Sequence, residues 1–157
     1  MIRDHAQVDL SRKTLEGNST MTLAISTMLH TSFEEAVEMT RNALSKQGFG
    51  VLTEIDVKAT LKAKLNEDME NYLILGACNP ALAHRAVEVD RQIGLLLPCN
   101  VVVRSDPDRD GVVIVDAMDP QLMVQVADQP GLRAVADDAS AKLRAAVDEL
   151  SKASSSD

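Results

Sequence analysis

Cys78 and Cys99 are the two side chains of this sequence with the widest chemical reach. Thiolate is the nucleophilic and metal-binding form of cysteine, and its surroundings set how much of it is present. Cys78 stands directly before Asn79-Pro80. Asn is a preferred helix N-cap and Pro suits the first helical position, so a helix is predicted to begin there. A helix start presents free N–H groups and about half a positive charge, which favours a thiolate beside it. Cys99 follows Pro98 where a loop is expected to enter a strand, and it too is followed by an Asn, Asn100. His84 and Arg85 lie within the helix predicted after Cys78.

Three kinds of chemistry suit this set. One is a small-ligand site built from Cys78, Asn79, His84, Arg85, Pro98, Cys99 and Asn100. Another is a soft-metal site at Cys78 and Cys99, completed by His84 or by a second subunit. The third is a thiol-dependent redox protein or enzyme in which Cys78 and Cys99 react. Against all three stands simple packing, since free Cys is often buried as a small hydrophobe. The two cysteines are too far apart in sequence for a C-x-x-C motif. Two thiols and one His also fall short of the four ligands of a structural zinc. An interaction module with structural cysteines is therefore a further reading. Whether there is catalysis, and with what cofactor, stays open at this point.

The elements that must position these residues can be read from periodicity. Thr20 to Thr27 alternates Met21, Leu23 and Ile25 with small or hydroxylated residues, which predicts a strand. Ser32-Phe33-Glu34-Glu35 is a capping box that opens a helix over 33–46, and Gly48 ends it. Strands are predicted at 51–57 and 71–77, separated by a short helix over 58–65. The second of these strands is apolar on both faces and belongs in the sheet interior. A helix over 80–90 follows, then a strand from Cys99 to Arg104 that forms a hairpin with 112–117. Short and long helices are predicted after Pro120 and Pro130, the long one carrying an aliphatic stripe from Leu132 to Leu150. The reading is an α+β fold: about five strands in one sheet packed by helices, in the order β-α-β-α-β-α-β-β-α-α. Residues 1–19 read as an extension, 20–150 as a single domain and 151–157 as a polar tail.

Several longer strings carry a family resemblance. Gly48-Phe49-Gly50-Val51-Leu52-Thr53-Glu54-Ile55-Asp56-Val57, then Leu75-Gly76-Ala77-Cys78-Asn79-Pro80 with Ala83-His84-Arg85-Ala86, then Ile93-Gly94-Leu95-Leu96-Leu97-Pro98-Cys99-Asn100-Val101 occur in that order. Over 33–120 the sequence resembles the domain-of-unknown-function 302 family. The resemblance implies a small α/β fold and a homodimer, with no established activity. A homodimer also fits the prevalence of closed two-fold assemblies, and the stripe of the last helix offers a surface for one.

Composition removes other classes. The chain has 157 residues, a net charge of −8 and 2% aromatics. Nucleic-acid binding needs basic surface and, for single strands, stacking planes, so neither partner class fits. No apolar run nears the roughly 20 residues of a membrane span. Met1 to His5 lacks a hydrophobic signal region, so a cytoplasmic location with reduced thiols is expected. Asp106 to Gly111 imitates half a calcium loop, but the twelfth position is Ala117, where a bidentate carboxylate is required. It reads as the hairpin turn. Glu54, Asp56 and the lysines at 58, 62 and 64 read as solvated surface.

Overall fold

A computed structural model describes residues 23–155. The extension at 1–19 and the start of the first predicted strand, 20–22, lie outside the described residues. The elements run β1 (Ala24–His30), α1 (Phe33–Lys46), β2 (Gly50–Asp56), α2 (Val57–Leu65), β3 (Tyr72–Cys78), α3 (Pro80–Val89), a 3-10 helix (Arg91–Leu96), β4 (Cys99–Ser105), β5 (Val112–Met118), α4 (Gln121–Ala127) and α5 (Leu132–Ser155). The five strands make one antiparallel sheet in the order β1-β5-β4-β3-β2. The fold is α+β with the expected element order.

Strand alternation sends one set of side chains to each face of the sheet. On one face Leu29, Leu75, Val101, Val103 and Val115 are fully buried beneath α1 and α5, which meet them with Ala36, Leu44, Leu143 and Leu150. The aliphatic stripe of α5 is thus consumed within the chain, from Leu132 through Leu150. It is not the free surface for self-association that the sequence suggested. That helix also continues through Ser155, past the expected end at Leu150, because no Gly or Pro interrupts it. Its last turns are held against β1, with Thr27 Oγ1 and Ser151 Oγ 2.6 Å apart.

Local signals set the ends that matter for the site. Ser32 Oγ accepts from Glu35 N at 3.1 Å and starts α1. At the other end Gly48 takes φ +83, Gly48 N donates to Ser45 O and Phe49 N donates to Leu44 O. This is a Schellman closure, and it turns Phe49 inward, where it is buried. β2 is an exposed edge strand with a register shift between Val51 and Thr53, so Leu52 is the extra residue of a bulge. In β3 the apolar pattern on both faces does mark an interior strand, flanked by β4 and β2.

The turn between β4 and β5 is tied by Asp106, which accepts from Asp108 N at 2.9 Å and from Arg109 Nε at 2.8 Å. Those bonds, the Asp108 amide first, hold the Asp106 carboxyl below the usual carboxylate range. Glu54 pairs with Arg41, and Asp56 accepts from Ala59 N at 2.8 Å as the cap of α2. The apolar run before Cys99 does not enter β4 directly: Arg91–Leu96 coils as a 3-10 helix capped by Asp90.

Candidate functional site

The register of β3 and β4 pairs Ala77 with Cys99, so the strand end at Cys78 and the strand start at Cys99 lie at the same end of the sheet. There the buried side chains divide into two groups. One is the sheet core beneath α1 and α5, which includes Phe49 and Ala77. The other is built by α3, the 3-10 helix, α4 and the first half of α5, and includes Leu82, Ala86, Met123, Val135 and Ala139. A cavity of about 240 Å³ lies between them. Cys78, Cys99 and Pro98 contribute to its wall, with Leu52, Ala83 and Leu97. No charged side chain lines it.

The two thiols differ. Cys99 is 6% exposed, whereas Cys78 is half-buried at the junction of β3 and α3. Both are free, and neither side chain has a hydrogen-bond partner among the described residues. Burial, and then the neighbouring Cys78, push the Cys99 thiol up to about 11. Cys99 therefore stays neutral at physiological pH, because desolvation penalises the charged sulfur. It is a poor nucleophile. Any thiol reaction here belongs to Cys78.

The other predicted site residues separate. Pro98 lines the cavity. Asn79 also borders it, but its amide is occupied: Oδ1 accepts from Leu82 N at 3.3 Å and Nδ2 donates to Gln47 O at 3.3 Å. Its work is to cap α3 and tie it to the end of α1. His84 is not brought to the thiols. Its side chain is 75% exposed and lies 3.6 Å from Glu88 on the same helix. Arg85 faces α5, where it pairs with Asp138 at 2.8 Å. Asn100 is exposed and outside the lining. The inward face of α3 is set by Leu82 and Ala86, which are buried. At about 100° per residue, His84 falls roughly opposite Leu82.

Without His84 the metal set is incomplete. Among the described residues no group of three or more His, Cys, Asp or Glu is placed to hold a metal ion. The site also includes residues that the sequence did not single out, Leu82, Met123, Val135 and Ala139, and two that stood only in the string from Gly48 to Val57, Phe49 and Leu52. Ala83 and Ala86 did stand in the string after Cys78, where their small size on one helix face was the available signal.

The family model described as "Domain of unknown function DUF302" matches residues 25–150. The chain belongs to the DUF302 family. The match takes in every element that builds the cavity. A crystal structure of an uncharacterized conserved DUF302 protein from Bacillus stearothermophilus is similar, with a TM-score of 0.75 and 27% sequence identity. The likeness covers 83% of this chain and 99% of that one. No curated protein matches. What this site offers is apolar volume with two unpartnered sulfurs in its wall. No helix among the described residues is long and apolar enough to cross a membrane.

Proposed function

We propose that this DUF302 domain binds a small, uncharged, largely apolar ligand in the cavity walled by Cys78 and Cys99. The observation that carries this reading is the character of the cavity, about 240 Å³, open to solvent on one side and walled almost wholly by apolar side chains. Apolar surface left at such an opening gains by being covered, and apolar cavities near 150 Å³ are known to take benzene or xenon. Ligand sites are generally apolar with a few polar groups that fix orientation. Here those groups are the thiols.

The test is a titration of methyl-labelled protein with toluene, followed by NMR. Saturable shifts are expected at Met123, Leu82 and Val135, with Leu29 in the sheet core unmoved. Small shifts that rise linearly everywhere would remove the reading.

Self-association belongs to the same proposal, and the surface that supports it is the face of the sheet opposite α1 and α5. Met28, Ile55, Ile74, Val102 and Ile114 share that face by register, from all five strands. Met28 is 44% and Ile55 50% exposed. Among the described residues its charges are paired within the chain, Arg104 Nε with Asp116 Oδ2 at 3.1 Å and Arg109, whose guanidinium touches Met28, with Asp106 at 2.7 Å. Two copies can therefore meet there without like-charge repulsion, although the chain carries −8. Five strands of seven residues span roughly 24 by 23 Å. Side chains raise the accessible area of such a face above its footprint, toward the ~800 Å² per partner of a stable interface. Sedimentation is expected to give a dimer of the 17.0 kDa chain and a folded monomer for Ile114→Glu. A wild-type monomer at high micromolar concentration would refute the dimer.

A further inference from the structure

We infer that the compounds taken by this cavity include small apolar molecules with an electron-poor carbon–carbon double bond, such as α,β-unsaturated ketones, and that Cys78 captures them by conjugate addition. This deepens the ligand reading above and rests on it. Three observations carry the added step. The lining holds no acid, base or charged group, so the sulfurs are its reactive atoms. Cys78 is half-buried at the end of β3, so it can be approached both from the cavity and from solvent. Cys99 is nine-tenths buried, unpartnered and part of the same wall. A ligand that gains from apolar enclosure and from a soft nucleophile together is apolar at one end and soft-electrophilic at the other.

The reaction balances without a co-reactant. Cys78 gives up its S–H proton and its sulfur bonds to the β-carbon. The π pair moves toward the carbonyl, and the resulting enolate takes a proton at the α-carbon. The net change is addition of S–H across the double bond, with no oxidant, reductant or leaving group. Cys99, buried and held neutral, does not compete as nucleophile. Enclosure raises the effective concentration of double bond beside the sulfur, and an apolar wall confers that advantage only on apolar acceptors.

The experiment compares 2-cyclohexenone, which is apolar, with acrylamide, which is polar, by intact-mass spectrometry of the whole chain. The rate ratio of the two reagents is measured for the protein and for glutathione. The protein's ratio is expected to exceed that of glutathione by roughly tenfold or more. Peptide mapping should place the adduct on Cys78. Cys99→Ser should keep the preference, and Ala83→Phe, which fills the cavity from its lip, should bring the ratio to the glutathione value. An adduct on Cys99, or a wild-type ratio equal to that of glutathione, overturns the inference. If Cys78→Ser does not fold, the mapping and the Ala83→Phe arm still decide. Toluene that saturates the cavity while the ratio stays at the glutathione value removes the covalent step alone. Toluene that does not bind removes the ligand reading with it.

Discussion

Gly76→Val is expected to destabilise this domain more than any other single change of a glycine, lowering the melting temperature by roughly 6–12 °C for a loss of about 3 kcal/mol. Gly76 sits in β3 between Thr53 of β2 and Asn100 of β4. A Cβ there would run into Thr53 Oγ1 and lie 2.9 Å from Pro98 Cγ. The Thr53 hydroxyl can rotate, but the proline ring has no such freedom and is fixed in the cavity wall. The added methyls therefore have to push β2 or the 98–99 segment aside. Overpacking of this kind typically costs 1–3 kcal/mol, with loss of ladder hydrogen bonds extending the range. Gly94→Ala is the control, because a Cβ at Gly94 meets nothing within 4 Å. Its melting temperature should change by no more than about 2 °C. Thermal unfolding followed by circular dichroism measures both. Equal, small shifts would mean that the packing around Gly76 gives way freely.

Local chemistry made most of the elements legible. Ser32 with Glu35, and Asn79 with Pro80, announced helix starts that the structure realises as hydrogen bonds. Alternation running up to Thr27 and the two-faced apolar run in 71–77 announced strands. The order β1-β5-β4-β3-β2 was not legible, because pairing β1 with β5 joins segments at opposite ends of the chain. The bulge at Leu52 and the 3-10 helix before Pro98 also lacked a local signature, since each depends on what packs against it.

The site was legible in half. Its two sulfurs and Pro98 stood out by type and by their junctions. The cavity did not, because Met123, Val135 and Ala139 come from α4 and α5, far along the chain, and each reads as ordinary core. His84 was a candidate by residue type, yet helix phase argued against it. Once Leu82 and Ala86 define the inward face, position 84 must point outward, while Arg85 falls on the flank where it meets Asp138 of α5.

Ala83→Phe gives the largest expected effect on binding. Ala83 is half-buried at the lip of the cavity, one helical turn before Ala86. A phenyl ring placed there can enter the apolar space from its open side without displacing backbone. It occupies the volume a ring-sized ligand would take, and it buries apolar surface that the wild type leaves facing a void. Cavity filling of this sort commonly stabilises by about 0.5–2 kcal/mol. Binding and stability should therefore move in opposite senses. A general distortion would lower both.

The affinity of toluene for wild type and Ala83→Phe, measured side by side with their melting temperatures, decides whether the space beside Cys78 and Cys99 is a binding site. The expected result is saturable binding to wild type, at least roughly 100-fold weaker binding to the variant (about 2.7 kcal/mol), and a variant that melts no lower. Equal affinity in the two proteins, or no binding to either, would contradict it.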